Sequence, residues 1–102
     1  MIDGTIDAVV SDHAPQDQDA KRLPFNQAEF GGVGLETLLP LTLSLVNNEK
    51  IDILKAISLI TINPSKILKL DVGRIEKKKE ADLCIFSISK PWKVNPEKFH
   101  GK

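Results

Sequence analysis

The sequence predicts an α/β protein, and three features support this class. A β-branched run at residues 5–10 becomes fully apolar, as a strand entering a buried sheet does. Residues 33–70 carry helical patterns, and residues 81–88 form a second run with the character of a strand. Residues 1–70 therefore have the pattern of the end of an α/β unit, and residues 71–102 that of part of a separate β layer.

Bulk composition limits the partners that this chain can have. With 102 residues, it is long enough for one small domain. Lys and Arg number 14, as do Asp and Glu, so no net field attracts nucleic acid or an anionic membrane. No stretch approaches the roughly 20 apolar residues of a membrane span, and no secretory signal precedes the first strand. We expect a cytoplasmic protein with no nucleic-acid or membrane partner.

Two polar residues, Asp12 and His13, follow the strand at residues 5–10. Pro15 ends the strand because it has no backbone N–H for a ladder and disfavours a helical Ala14. The two side chains therefore lie at the carboxyl end of a buried strand, where α/β folds place ligands and catalytic groups. The alternative is that Asp12 caps a turn and that His13 is a loop residue whose hydrogen bonds are satisfied locally.

Residues 11–32 are predicted to form one long loop, and such loops in compact domains are usually functional. Phe25 and Phe30 are costly to leave in water, so we expect them to hold the loop down or to line a pocket. The glycines that follow, including Gly31 and Gly34, allow the backbone to approach another group closely. Their spacing is not that of a dinucleotide-binding fingerprint, which excludes a nucleotide site.

The first predicted helix covers residues 33–47 and is apolar nearly all round. Such a helix is expected to be buried on most sides. Pro40 lies inside it and should kink it or restart a turn. Glu36 falls in the first turn, where the helix dipole favours an anion.

Two shorter helices are predicted next. Asp52 is the expected N-cap of a helix that runs to Ile60. Asn63 is the expected cap of a third helix, with Pro64 at its first position and its end at Leu70.

From Gly73 onwards the pattern changes to short extended segments. Residues 81–88 are predicted to form the second strand, and residues 91–94 a short edge strand. The buried strand at residues 5–10 needs neighbours, and this chain supplies no other strand of that kind nearby. We therefore expect the chain to be a piece of something larger.

Five motifs, taken in order, resemble those of one known family. Asp-His-Ala-Pro at residues 12–15 follows the strand, and Phe-Gly at residues 30–31 precedes Gly-Leu-Glu-Thr at residues 34–37. Asn-Pro at residues 63–64 and Ala-Asp-Leu at residues 81–83 come later. Together they resemble the C-terminal part of the dihydroorotases, which are members of the amidohydrolase superfamily. The resemblance covers essentially the whole chain in one register.

The resemblance implies the C-terminal portion of a TIM-barrel amidohydrolase. Residues 1–70 would supply the last barrel strand and helices, and residues 71–102 part of a composite β-sandwich. It also implies a zinc enzyme that interconverts dihydroorotate and N-carbamoyl-L-aspartate in pyrimidine biosynthesis, and a homo-oligomer when full length. The family's other metal ligands lie on earlier barrel strands, so we expect this chain alone neither to hold zinc tightly nor to catalyse.

The resemblance also implies roles for individual residues. Asp12 aligns with the Asp that is both metal ligand and general acid/base, and Phe30 and Gly31 align with a segment that holds the substrate. Gln16 stands where the family usually has a substrate-binding His; it can donate a hydrogen bond but carries no positive charge. His13 adjoins the catalytic Asp and is treated as a supporting residue.

Two alternative functions remain open. The first is a non-catalytic dihydroorotase-like protein that serves as a structural partner of aspartate transcarbamoylase; Gln16 favours it and the retained Asp12 disfavours it. The second is another cyclic-amide hydrolase, such as an allantoinase or a hydantoinase, which the Phe-Gly loop disfavours. Whether the preceding barrel strands carry the His ligands decides the first alternative. Turnover of dihydroorotate measured beside that of the other cyclic amides decides the second.

Overall fold

A computed structural model describes residues 3–48 and 51–101 of the chain. Over these residues the α-helices are α1 (Gln18–Lys21), α2 (Leu38–Asn47), α3 (Ile53–Ser58) and α4 (Ile62–Ile67). Two 3-10 turns are also formed, at Leu35–Thr37 and Pro96–Lys98. None of the helices in the described residues is long and apolar enough to cross a bilayer.

The described residues fall into two compact units. The helical unit comprises the residues up to Val10 together with Leu39–Trp92. The loop unit comprises Ser11–Leu38 together with the residues from Lys93 onwards. The predicted boundary between a barrel part and a sandwich part, at residue 70, stays a prediction.

The core of the helical unit centres on α3 and its C-terminal end. Ala56 and Leu59 are both 0% exposed. Leu43 of α2 and Ser65 of α4 are also buried. The Val9 N–H donates to the Leu59 carbonyl at 2.9 Å, so the N-terminal residues lie against the end of α3.

Helix α2 begins after a 3-10 turn, and Pro40 is its third residue. The N–H groups of the first helical turn have no intrahelical acceptor, so the missing N–H of Pro40 costs no hydrogen bond there. The α-helix thus begins at Leu38 and not at residue 33 as predicted, and Pro40 lies in its first turn. The expected burial on most sides is wrong, because Leu41 is 65% exposed and the buried residues of α2 are Thr42 and Leu43.

Helix α3 begins at the cap that the sequence predicts. The Asp52 carboxylate accepts hydrogen bonds from the Leu54 N–H at 2.8 Å and from the Lys55 N–H at 3.4 Å. These N–H groups have no acceptor within the helix, so the carboxylate satisfies them. Its negative charge also interacts favourably with the positive end of the helix dipole.

Helix α4 begins two residues and ends three residues earlier than predicted. Thr61 occupies the N-cap position, and Asn63 and Pro64 lie inside the first turn. Pro64 is tolerated there for the same reason as Pro40. Asn63 is therefore not the cap: its side-chain amide donates to the Asp7 carbonyl at 2.8 Å and ties the N-terminal residues to α4.

The predicted strands at residues 5–10, 81–88 and 91–94 are not formed, since the described residues contain no β-strand. A strand is stabilised by ladder hydrogen bonds to a neighbouring strand. The part of the chain that the structure describes pairs none of these segments in this way. Ile85, which lies within the predicted second strand, is 98% exposed.

Candidate active site

The sequence-predicted site residues share the loop unit, and they are Asp12, His13, Gln16, Phe30 and Gly31. Two stretches of backbone in this unit are in contact. The Ala14 N–H donates to the Gly32 carbonyl at 3.0 Å, and an isolated parallel bridge pairs His13 with Gly32. Residues 13–14 therefore lie beside Gly32, and Asp12, Gln16, Phe30 and Gly31 are close to this contact along the chain.

Asp12 has an exposed side chain and a left-handed backbone, with φ at 46°. Asp is one of the few residues besides Gly that enters this region, and such conformations concentrate at functional sites when the surroundings hold them. Within residues 3–48 and 51–101 its carboxylate has no hydrogen-bond partner, whereas Asp17 and Asp52 both cap helices. The described residues thus give no support to Asp12 as a turn cap.

His13 joins the loop to the start of the 3-10 turn that precedes α2. Its Nδ1 accepts hydrogen bonds from the Gly34 N–H and the Leu35 N–H, both at 3.2 Å. Because an accepting ring nitrogen carries no proton, the proton of the neutral ring is on Nε2. A Cβ built on Gly101 would lie 2.5 Å from the ring Cε1, so the backbone there packs tightly on the imidazole. The Nδ1 atom of His13 is therefore satisfied locally, and the ring links residue 13 to the start of the 3-10 turn.

Two glycines of the loop are required by close backbone contacts. Gly31 has φ at +113°, and a Cβ there would lie 2.4 Å from the Ala14 carbonyl oxygen. A Cβ at Gly34 would lie 2.3 Å from the Ser11 carbonyl oxygen. The close approach predicted from these glycines is confirmed, because any larger residue at either position would displace the backbone of residues 11–14.

The two loop aromatics do not hold the loop down, which corrects the first of the two expectations. Phe25 is 99% exposed and Phe30 is 88% exposed. The loop is also not structureless, because α1 forms inside it. The Asp17 carboxylate caps α1 by accepting from the Ala20 N–H at 2.9 Å. Polar contacts rather than aromatic packing therefore order this stretch.

Lys21, the last residue of α1, makes the contact that sequence reasoning missed. Its Nζ donates to the Glu29 carbonyl at 2.8 Å and to the Gly31 carbonyl at 2.9 Å. These two carbonyls flank Phe30. Nothing in the spacing of the loop marks which of its cations turns back onto the glycine segment, so no sequence signal identifies this role.

Glu36 also has a partner that its position in the sequence does not indicate. Its Oε1 accepts a hydrogen bond from the His100 N–H at 2.7 Å. The carboxylate therefore ties the C-terminal segment of the loop unit to the 3-10 turn. This contact favours the structural interpretation of Glu36 over a catalytic one.

A separate group of charges lies in the helical unit, outside the site. Hydrogen bonds from Lys79, and then from Arg74, hold the pKa of the Asp71 carboxyl below its ordinary value. Arg74 also pairs with Glu76, with Nε and Oε2 at 2.7 Å. All these groups are solvent-accessible, so the cluster orders a turn and adds little to stability.

Residues 1–100 match the amidohydrolase family. The chain belongs to this family. A dihydroorotase from Geobacter sp. (strain M21) is 43% identical over 102 residues, which are 100% of this chain and 24% of the relative. A dihydroorotase from Ehrlichia chaffeensis is 42% identical over 99 residues, 97% of this chain and 22% of the relative. One from Anaplasma phagocytophilum is 42% identical over 102 residues, 100% of this chain and 23% of the relative.

The amidohydrolase chain thus spans about a quarter of the length of the curated relatives it matches. These relatives confirm the resemblance to dihydroorotases. Membership of the family implies the TIM-barrel superfamily, while the placement of this portion at the C-terminal end of a barrel stays a prediction. No solved structure matches this chain.

Amidohydrolases generally use a metal cofactor, which is held by several His, Cys, Asp or Glu side chains. Among residues 3–48 and 51–101, no three His, Cys, Asp or Glu side chains lie close enough together to hold a metal ion. Asp12 offers one carboxylate, whereas a catalytic zinc site takes about three protein ligands and a water. The described residues therefore do not make up a metal site by themselves.

Proposed function

We propose that this chain is part of a dihydroorotase, which interconverts dihydroorotate and N-carbamoyl-L-aspartate in pyrimidine biosynthesis. The observation that carries the proposal is the Asp12 carboxylate. The carboxylate is exposed and has no partner in the described residues. Asp12 itself has a left-handed backbone and follows Val10 by two residues. In a chain of the amidohydrolase family, such a carboxylate is suited to proton transfer.

Asp12 serves this reaction as general acid and base. Hydrolysis of the ring amide forms a bond between the water oxygen and the carbonyl carbon, breaks the carbon–nitrogen bond and leaves a proton on the nitrogen. The Asp12 carboxylate accepts the proton that the water loses and delivers it to the leaving nitrogen. Ring closure follows the same path in reverse, with Asp12 protonated by the ureido nitrogen.

Substrate binding is assigned to Gln16, Phe30 and Gly31. The Phe30 ring is 88% exposed, so its face is accessible to a planar ligand. The backbone at Gly31 offers polar groups at a position where a side chain cannot fit. Gln16 is half-buried and supplies an amide that can donate to a substrate carboxylate.

Zinc is the proposed cofactor, with Asp12 as one of its ligands. Zinc activates water in hydrolases of this kind. Since the described residues supply one such carboxylate, the remaining ligands are proposed to come from a longer polypeptide. The 102 residues alone are then expected to bind zinc weakly and to be inactive.

The broader assignments are part of the same proposal. We assign a small-molecule substrate, a homo-oligomer for the longer protein and a cytoplasmic location. A second candidate function, a non-catalytic partner of aspartate transcarbamoylase, is favoured by Gln16, which cannot provide the positive charge of the usual His. An allantoinase or hydantoinase activity is the third candidate.

The test is to express the complete natural polypeptide that contains these residues and to assay it in both directions. Dihydroorotate and N-carbamoyl-L-aspartate are supplied first, then allantoin and hydantoin at the same concentrations. Turnover of the first pair, lost on chelation and restored by zinc, is the expected result. Turnover of allantoin or hydantoin alone would establish the third candidate. Inactivity towards all four, with binding to aspartate transcarbamoylase, would establish the second.

A further inference from the structure

Lys21 stands outside the proposed chemistry, yet it contacts the segment assigned to the substrate. Its ammonium group donates to two carbonyls that flank Phe30, those of Glu29 at 2.8 Å and Gly31 at 2.9 Å. Both are hydrogen bonds from a charged donor, which are stronger than bonds between neutral groups. One side chain therefore fixes the backbone on both sides of Phe30.

The neighbouring contacts show why this segment needs such a support. Gly31 is in a conformation that few residues adopt, with φ at +113°, and Phe30 is too exposed to be held by packing. The Glu29 N–H donates to the Ala20 carbonyl at a long 3.3 Å. The polar bonds of Lys21 are thus the shortest contacts that hold the segment to α1.

Phe30 keeps its own backbone groups free in this arrangement. Within the described ranges 3–48 and 51–101, neither its N–H nor its C=O makes a hydrogen bond. A cyclic amide or ureido ligand presents adjacent N–H and C=O groups that pair with a backbone N–H and C=O. Fixing the carbonyls on either side of Phe30 fixes where this pair is presented.

We propose that Lys21 is a positioning residue that holds the Phe30–Gly31 segment in the conformation that receives the substrate, an inference that rests on the proposed function. Lys21 does not touch the reacting atoms. It acts through the two carbonyls, so its loss weakens substrate binding more than it slows the chemical step.

The experiment compares three variants of the complete natural polypeptide. Lys21→Met removes the ammonium group but keeps the length of the side chain, and Lys21→Arg retains a charged multiple donor. Arg22→Met is the matched control, because it removes the neighbouring cation. The Arg22 guanidinium donates to the Gln18 side chain at 2.9 Å and not to the substrate segment. Each variant is assayed for kcat and KM, and hydrogen exchange is followed by mass spectrometry in peptides covering residues 26–35.

Lys21→Met is expected to raise KM about tenfold with kcat within about twofold of wild type, and to speed exchange in residues 26–35. Arg22→Met should leave both readouts unchanged, and Lys21→Arg should restore most of the lost affinity. Unchanged KM and exchange in Lys21→Met would overturn the proposal, as would an equal effect of Arg22→Met. If Lys21→Met does not fold, Lys21→Gln replaces it in both measurements.

The two proposals fail in different ways. A wild-type protein that is inactive towards dihydroorotate and N-carbamoyl-L-aspartate overturns the proposed function. The exchange measurement needs no substrate, so it still decides whether Lys21 holds the segment. Unaltered exchange in an active Lys21→Met variant overturns the positioning role alone.

Discussion

Replacement of His13 by Ala would remove the acceptor that holds the start of the 3-10 turn. The Nδ1 atom accepts from the Gly34 and Leu35 amides, each at 3.2 Å. A hydrogen bond of this kind contributes about 1 kcal/mol net. The two donors share one lone pair, so we expect a loss of about 1–2 kcal/mol in local stability, which corresponds to about a 5- to 30-fold change in the opening equilibrium.

Amide hydrogen exchange in the complete polypeptide measures this loss where it arises. The Gly34 and Leu35 amides of His13→Ala should exchange about 5- to 30-fold faster than in wild type. His13→Asn is the matched variant, because its side-chain oxygen can accept near the position of Nδ1, and it should retain most of the protection. Unchanged protection in His13→Ala would refute the reasoning. An equal loss in His13→Asn would assign the effect to ring packing against Gly101.

Three further changes test other parts of the account. Gly31→Ala should lower the thermal midpoint of unfolding, because positive φ costs about 1–2 kcal/mol for a residue with a Cβ and the new methyl group would meet the Ala14 carbonyl. Gly32→Ala is the control. A Cβ at Gly32 would meet no atom within 4 Å, so the midpoint should change little. If Gln16 binds substrate as proposed, Gln16→His should lower the KM for N-carbamoyl-L-aspartate below about pH 6.5, where the protonated imidazole adds a positive charge. An unchanged KM would remove Gln16 from the proposed substrate site. The carboxyl of Asp71 should titrate in NMR below its ordinary pKa, because Lys79 and Arg74 favour its charged form. Its contribution to folding is therefore present above the unfolded-state pKa and is lost as the pH falls through the folded value, and Lys79→Met should return the pKa towards the ordinary one.

Features that depend on a few neighbouring residues were predicted well from the sequence. Asp52 caps α3 because its carboxylate needs only amides two and three residues ahead. Pro40 lies near a helix start, where its missing N–H falls among groups that have no intrahelical acceptor. The boundary of α4 was missed by a few residues, since Asn63 makes a longer-range bond to the Asp7 carbonyl instead of capping the helix.

Features that need distant parts of the chain were predicted less well. Residues 5–10 and 81–88 have the composition of strands, but a ladder also needs a partner strand, which the described residues do not supply. The motif at residues 12–15 helped to identify the family, which the comparison confirms, while the site roles of Asp12 and Gln16 stay predictions. It could not reveal Lys21, because a lysine in a loop has many acceptors within reach and only the folded backbone selects among them.

The central claim, that Asp12 transfers the proton in a dihydroorotase reaction, is tested most directly by Asp12→Asn in the complete polypeptide. The amide keeps the shape of the side chain but cannot accept and return a proton. Asp19→Asn, an exposed residue of the same loop unit, is the control. We predict that kcat for the N-carbamoyl-L-aspartate and dihydroorotate interconversion falls about 10²- to 10⁴-fold in Asp12→Asn and stays near wild type in Asp19→Asn. A folded Asp12→Asn protein with a kcat within about threefold of wild type would contradict the account, since a general acid/base contributes far more than that.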